Sequence, residues 1–208
     1  MTVVHDSVER FLERLASGAP TPGGGSAAAV MGGMAAALVS MVCNVSIGKK
    51  GLEPLEGELR AILLESERLR LRLTAMVAED IAAFNGLIGA YQLPKTTEAE
   101  KTERGAAIQR SLTRATEVPL DCARACASVI ELTRRVAERG YKGVISDAGV
   151  AVLAACAGLR SAALNVHINA PALHDRNLAE RFVAEIEALT AAAARDNETV
   201  YAAVRARL

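Results

Sequence analysis

The run from Ala27 to Ile47, AAAVMGGMAAALVSMVCNVSI, decides the fold class. It carries no charged residue and is dominated by Ala, Gly and Ser, which let neighbouring helices approach closely. Its length would suffice to cross a bilayer, but Asn44 and Ser46 would then need polar partners within the lipid. We therefore expect the central, buried helix of a helical bundle rather than a membrane span.

The rest of the chain also shows helical periodicity, with no sustained alternation typical of strands. Thr97 followed by Glu100 predicts a capping box, Ser146 a second helix cap, and Pro119 a kink. The predicted fold class is all-α: a long-helix bundle, a single domain over residues 1–208, dimerising through its helices. The predicted helices cover residues 7–16, 27–47, 54–92, 97–139, 146–169 and 175–207.

Composition narrows the classes of function. The chain has 24 Lys and Arg against 24 Asp and Glu, three Phe, three Tyr and no Trp. It therefore offers neither the basic stripe nor the stacking platforms of a nucleic-acid-binding protein. The N-terminal residues lack the pattern of a secretory signal, so we expect a cytoplasmic protein. Because burial per residue is modest in an alanine-rich chain, we expect a homodimer.

The four cysteines are predicted to be small core residues. Cys43, Cys122, Cys126 and Cys156 lie in apolar helical patterns without the paired spacing of a zinc site or a disulfide framework. Only three histidines accompany them. We expect no metal site.

The glycine run before the long apolar helix is a candidate binding site. Pro22, Gly23, Gly24, Gly25 and Ser26 predict a strained loop that feeds a helix N-terminus. The first amides of that helix lack intrahelical partners, so an anionic or carbonyl group could dock there. The alternative is a simple turn in which Ser26 caps the helix.

Asp80 is the first candidate for acid–base chemistry. Met76 and Phe84 lie four residues before and after it, so its carboxylate occupies an otherwise apolar helix face, whereas Glu79 points elsewhere. A carboxylate in apolar surroundings has a raised pKa or serves a cation, and either suits catalysis. The alternative is a buried salt bridge to an arginine such as Arg72.

Asp147 is the second acidic candidate. It follows Ser146 at a predicted helix start, where first-turn amides would stabilise its charge. An ordinary helix start has the same appearance, and that interpretation is favoured until another residue points to the same place.

Three asparagines stand in the most apolar helices. Asn44, Asn165 and Asn169 are candidates to bind a polar ring, because burying an unpaired amide is costly. Asn165 and Asn169 share a helix face. The alternative is a hydrogen-bonded link between helices.

Three lysines occupy predicted loops. Lys49 and Lys50 lie between Gly48 and Gly51, and Lys95 follows Pro94. Loop lysines are usually solvated, but these could attract an anionic substrate tail or donate a proton.

Taken together, these segments resemble the cyclodeaminase/cyclohydrolase family of folate enzymes. The resemblance runs in order from Phe11 to beyond Asn169. It is carried by PTPGGGS at residues 20–26, Asp80 with Phe84, LPK at 93–95, VPL at 118–120, Ser146-Asp147 and NVHIN at 165–169.

This resemblance implies an all-helical dimer that acts on one-carbon tetrahydrofolates. One branch is formimidoyltetrahydrofolate cyclodeaminase, often fused to a formiminotransferase domain; the other is the free-standing methenyltetrahydrofolate cyclohydrolase. The length of the chain favours the cyclohydrolase, with the folate as substrate and no cofactor. The alternatives are the cyclodeaminase, which releases ammonia, and a non-catalytic helical assembly protein.

The implied reaction is hydrolysis of 5,10-methenyltetrahydrofolate to 10-formyltetrahydrofolate, which requires a base for water and a proton donor for N5. Asp80 or Asp147 is expected to activate the water while the other binds the folate, and the order between them stays open. Lys49 or Lys50 is expected to donate the proton or bind the glutamyl tail. The glycine run and Asn44 would supply further substrate contacts.

Overall fold

The computed structural model describes residues 6–208, which form six α-helices and no strand. Short 3₁₀ turns at Glu53–Leu55, Lys142–Val144 and Ala170–Ala172 join some of the helices. The all-helical prediction is confirmed. The helices are α1 (Val8–Ala16), α2 (Gly24–Ser46), α3 (Glu56–Gln92), α4 (Glu98–Arg139), α5 (Ile145–Asn169) and α6 (Arg176–Arg205).

A capping side chain marks the start of three of the six helices, α1, α4 and α6. Ser7 accepts a hydrogen bond from the Arg10 N–H at the start of α1, and Thr97 and Glu100 form the predicted capping box of α4. The prediction for α5 is wrong at its first residues. The helix already begins at Ile145, the capping position is Val144, and Ser146 lies exposed inside the first turn.

α2 is the central helix, as predicted, and it packs against α3, α4 and α5. It lies close to α5 where both helices carry glycine, at Gly32 and Gly158. A Cβ at Gly158 would lie 2.9 Å from the Ala28 carbonyl oxygen, and a Cβ at Gly32 would lie 2.6 Å from the Cys126 Sγ. Small residues therefore set the spacing of the core.

By length and composition alone, α2 and the segments Glu53–Gln92 and Lys142–Ala172 could each cross a membrane. In the bundle, 56% of the apolar window of α2 is buried by protein. All four cysteines are free and buried, as predicted. Burial raises the pKa of the Cys43 thiol to about 12, which suits a core residue rather than a reactive one.

α3 runs antiparallel to the central helix α2, and the bundle has two distinct ends. Ser26 of α2 contacts Asp80 of α3, whereas Ser40 contacts Ser66. At the opposite end from Asp80, the Tyr141 N–H donates to Ser46 at the end of α2. We call these the Asp80 end and the Lys49 end.

Candidate functional site

The carboxylate of Asp80 lies against the first turn of α2. Ser26 Oγ donates a hydrogen bond of 2.7 Å to Asp80 Oδ2, and the Ser26 side chain is fully buried. The sequence predicts that an anionic group could dock at this helix N-terminus, and in the structure the chain's own Asp80 lies there. Negative charge is favoured at this position by the free amides of the first turn.

Gly25 is required for this arrangement because of space. A Cβ at residue 25 would lie 2.0 Å from Asp80 Oδ1 and 2.6 Å from Cγ. The expected strained loop is wrong: Gly24 and Gly25 belong to α2, Gly23 has extended backbone angles, and among the described glycines only Gly48 and Gly51 have positive φ. The glycine at position 25 is therefore needed to make room for the Asp80 carboxylate and not to form an unusual turn.

Ser26 does not cap α2 either. The helix begins at Gly24 with Gly23 at the capping position and no side-chain cap. The Ser26 hydroxyl instead reaches across to α3. The sequence pattern indicates Ser26 and Asp80 separately as candidates, and the contact between them is visible only in the structure.

Two opposing effects act on Asp80. Burial raises its pKa, and hydrogen bonds from the Ser26 side chain and backbone N–H partly offset that rise by favouring the charged form. The alternative of a salt bridge to Arg72 is wrong, because Arg72 and Arg114 both pair with Glu79. Among residues 6–208, no lysine or arginine forms an ion pair with Asp80. Its half-buried negative charge is thus available to a cationic ligand.

An apolar groove of about 590 Å³ begins one helical turn from this pair. It lies between α1, α2 and α3, and Met34 and Val77 are among its walls. Val77 lies three residues before Asp80, and the lining residues Ala29 and Val30 lie three and four residues after Ser26. The groove offers an apolar surface about one helical turn from the carboxylate.

Other candidates gather at the Lys49 end. The Lys49 ammonium lies 4.9 Å from the centre of the Tyr141 ring, a cation–π contact that the sequence did not predict. Gly48 and Gly51 have φ of 77° and 88°, so the tight turn around Lys49 and Lys50 needs glycine. Asp147 lies half-buried in the first turn of α5, as predicted.

The two ends are too far apart to act on one reacting centre within one chain. From Ser26 to Ser46, α2 spans about 30 Å at 1.5 Å per residue. Asp147 is separated from the Gly158 crossing by about 16 Å of helix, in the direction away from Asp80. The chain therefore does not bring Asp80 together with Asp147, Lys49 or Lys50.

The asparagines have different environments. Asn44 is exposed on α2, so the prediction of a buried amide there is wrong. Asn165 donates to the Ser161 carbonyl of its own helix at 3.1 Å, and Asn169 donates to the Ala115 carbonyl of α4 at 2.9 Å. Asn169 thus links two helices, which was the alternative interpretation.

The remaining candidates lie apart. Lys95 is exposed in the connection between α3 and α4, and Pro22 is buried just before α2. Within residues 6–208, no group of three or more His, Cys, Asp and Glu side chains is arranged to hold a metal ion.

Known proteins resemble this chain over most of its length. Residues 7–188 match the family described as Formiminotransferase-cyclodeaminase. The chain is 54% identical to a methenyltetrahydrofolate cyclohydrolase of Methylorubrum extorquens, over 98% of both chains. It is 30% identical to the formimidoyltransferase-cyclodeaminase of Rattus norvegicus over 97% of its own length, but it spans only 37% of that relative.

A solved structure shares the whole fold. The formiminotetrahydrofolate cyclodeaminase of Thermotoga maritima superimposes with a TM-score of 0.85 at 30% identity, covering 100% of this chain and 98% of the other. A protein of nearly the same length is therefore named as a cyclodeaminase. Chain length does not separate the two activities, contrary to the argument from sequence.

Proposed function

The chain belongs to the formiminotransferase-cyclodeaminase family, and from this premise we propose that it is a methenyltetrahydrofolate cyclohydrolase. The enzyme hydrolyses 5,10-methenyltetrahydrofolate to 10-formyltetrahydrofolate. The observation that carries this choice is the 54% identity with a cyclohydrolase over 98% of both chains, against 30% with a cyclodeaminase of the same fold.

The environment of Asp80 suits this substrate. The methenyl carbon is shared by N5 and N10 as an amidinium cation, and the Asp80 carboxylate has no cationic partner among the described residues. A cation placed beside it stabilises its charged form and gains an electrostatic partner in a site of low polarity.

Asp80 acts as the base and then as the acid. It accepts a proton from water as the new C–O bond forms, and it returns that proton to N5 as the C–N5 bond breaks. The remaining hydroxyl proton passes to solvent as the formyl carbonyl forms. Burial raises the pKa of Asp80 towards the pH at which the enzyme works. A buried aspartate is therefore better suited both to accept and to return the proton than a fully solvated one. No electron is exchanged, so we propose that no redox cofactor takes part.

The apolar groove about one helical turn from Asp80 is the proposed seat for the flat rings of the folate. Its lining combines apolar side chains with four polar or charged residues: Asp6, Ser7, Arg70 and Thr74. Small-molecule sites typically join such apolar walls to a few polar groups that fix orientation.

We also propose that the enzyme is a homodimer. α5 carries a stripe of large apolar side chains that this chain leaves exposed. Its members are Val150 (52% exposed), Leu153 (46%), Leu164 (70%) and Ile168 (75%). A second copy packed against this stripe would bury it, and light scattering of the purified protein tests the dimer directly.

In such a dimer, an antiparallel second copy would bring its Lys49 end near the Asp80 end. Complementation tests this sharing of sites. Mixed dimers of Asp80→Asn and Lys49→Ala chains contain one intact site if each site uses both copies, and none if each site lies within one chain. Recovery of activity on mixing supports shared sites, and its absence excludes them.

The activity itself is tested by following the absorbance of methenyltetrahydrofolate with purified protein, in a buffer that does not catalyse hydrolysis. We expect a rate well above the uncatalysed background. A parallel assay measures ammonia released from 5-formimidoyltetrahydrofolate. Ammonia release without methenyl hydrolysis would replace the proposal with the cyclodeaminase. Inactivity in both assays, together with no thermal shift on adding folate, would support a non-catalytic protein.

A further inference from the structure

Ser26 is the only side chain among residues 6–208 that donates a hydrogen bond to Asp80. The two residues lie 54 positions apart on different helices, and the contact joins the start of α2 to the middle of α3. Ser26 has no exposed surface. A bound folate therefore cannot reach its hydroxyl unless the helices separate.

The contact is unlike the usual behaviour of a hydroxyl in a helix. Ser and Thr side chains inside helices commonly donate to the carbonyl four residues earlier. Thr74, Thr116 and Thr133 do so in this protein, at 2.7–2.8 Å. Ser26 stands in the first turn of α2, where the residue four positions earlier, Pro22, precedes the helix, and its hydroxyl donates across to Asp80.

Gly25 and Ser26 together fix the position of the carboxylate. Gly25 leaves space for Oδ1, which a Cβ would approach to 2.0 Å, and Ser26 holds Oδ2 at 2.7 Å. With Oδ2 occupied, Oδ1 has no side-chain donor among the described residues. The Ser26 hydroxyl and the space left by Gly25 thus hold the carboxylate in one orientation.

We infer that Ser26 is a positioning residue for the hydrolysis, whose buried hydroxyl holds Asp80 in its reactive orientation and in its ionised form. This inference rests on the proposed function, because it takes Asp80 as the base. It assigns Ser26 a role through Asp80 in place of the direct substrate contact expected from the sequence.

The direction of the effect follows from the two influences on Asp80. Burial raises its pKa and the Ser26 hydrogen bonds oppose that rise. Removing the hydroxyl therefore raises the pKa further, so a smaller fraction of Asp80 is ionised at neutral pH. Asp80 must be ionised to accept a proton from water. In a variant without the Ser26 hydroxyl, kcat therefore begins to fall at a higher pH than in the parent as the solution is acidified.

The first experiment compares Ser26→Ala with Ser26→Thr, which keeps the hydroxyl. For Ser26→Ala we expect kcat at pH 7 to fall about 10-fold, with KM within about twofold of the parent and the acid limb of kcat moved to higher pH. For Ser26→Thr we expect the parental acid limb. A raised KM with unchanged kcat and an unmoved acid limb in Ser26→Ala would overturn the inference in favour of direct substrate binding.

A second measurement does not depend on turnover. The carboxyl carbons of the six aspartates are labelled with ¹³C, and the Asp80 signal is identified by its absence in Asp80→Asn. We expect its titration midpoint to be higher in Ser26→Ala than in the parent. An unchanged midpoint would overturn the inference while leaving the cyclohydrolase proposal intact.

The converse outcome separates the two proposals. If Asp80→Asn hydrolyses methenyltetrahydrofolate at the parental rate, Asp80 is not the base, and Ser26 loses its positioning role even where the titration shift is observed. If Ser26→Ala does not fold, Ser26→Cys replaces it, because cysteine has a similar side-chain volume and its S–H is only a weak hydrogen-bond donor. The titration of Asp80 is then measured in Ser26→Cys. The same higher midpoint is then expected, and an unmoved one again overturns the inference.

Discussion

Asn169 supplies the hydrogen bond that the Ala115 carbonyl loses to Pro119. In a regular helix, the carbonyl of residue 115 accepts from the N–H of residue 119, and proline has no N–H. The Asn169 side chain donates to that carbonyl at 2.9 Å, from the end of α5 into α4. α4 continues through Pro119 as one helix from Glu98 to Arg139. The proline and the asparagine are therefore a matched pair.

Asn169→Ala is expected to lower the free energy of unfolding by about 1–2 kcal/mol, because it leaves a partly buried carbonyl without a donor. Pro119→Ala restores the backbone N–H. In a Pro119→Ala background, the loss caused by Asn169→Ala is therefore expected to shrink. Urea unfolding of the four proteins measures this coupling.

Asn165→Ala is the control for this cycle, because Asn165 only contacts its own helix. We expect it to change stability by less than about 0.5 kcal/mol. An equal cost of Asn169→Ala in both backgrounds would contradict the pairing, and a raised KM with unchanged stability would favour a substrate contact instead.

Gly25→Ala is expected to lower kcat about 10-fold or more without unfolding the protein. The added Cβ would lie 2.0 Å from Asp80 Oδ1, and the short aspartate side chain must turn away to make room. Steady-state kinetics with a helical circular dichroism spectrum check both parts. Gly86→Ala is the matched control, since no atom lies within 4 Å of the added Cβ. Parental kcat in Gly25→Ala would show that the position of Asp80 is unimportant.

Met34→Asp tests the proposed folate groove. Placing a charge on its apolar wall is expected to raise KM about 10-fold, which corresponds to roughly 1.4 kcal/mol of lost contact, with a smaller effect on kcat. Leu64→Asp is the control, because Leu64 is also exposed but does not line the groove. Equal KM values in the two variants would place the folate elsewhere.

Asp80 also predicts a dependence of stability on pH. Its pKa is raised in the folded protein above the ordinary value of 3.8, so the folded state binds the proton more tightly than the unfolded state. Stability therefore decreases as pH rises from the unfolded to the folded pKa. Asp80→Asn removes this cost.

We accordingly expect Asp80→Asn to be more stable than the parent at pH 7, with the difference shrinking as the pH approaches 3.8. Urea unfolding at several pH values measures it. A variant that is less stable than the parent at pH 7 would mean that the contacts of the ionised carboxylate outweigh its burial.

Local signals explain what the sequence predicts well. Helix periodicity, the Thr97 capping box and the small residues of α2 act within a few residues of one another, so all-helical structure and a buried α2 follow from the chain alone. Ser146 was misplaced because helix ends carry an uncertainty of one or two residues when read from capping residues.

The candidate site depends on contacts between distant parts of the chain. Asp80 and Ser26 could each be singled out, but their contact spans 54 positions and requires the packing of α2 on α3. The same packing places Lys49 and Asp147 at the other end of the bundle. Asn44 was misjudged because an apolar helix still has an exposed face where the bundle ends.

The most direct test of the account is the rate of methenyltetrahydrofolate hydrolysis by Asp80→Asn. Removing the base is expected to lower kcat about 100-fold or more while the fold is retained. Glu79→Gln is the control, because Glu79 is adjacent to Asp80 in the sequence but its carboxylate pairs with Arg72 and Arg114. For this variant we expect the parental kcat. A folded Asp80→Asn protein with parental kcat would contradict the account.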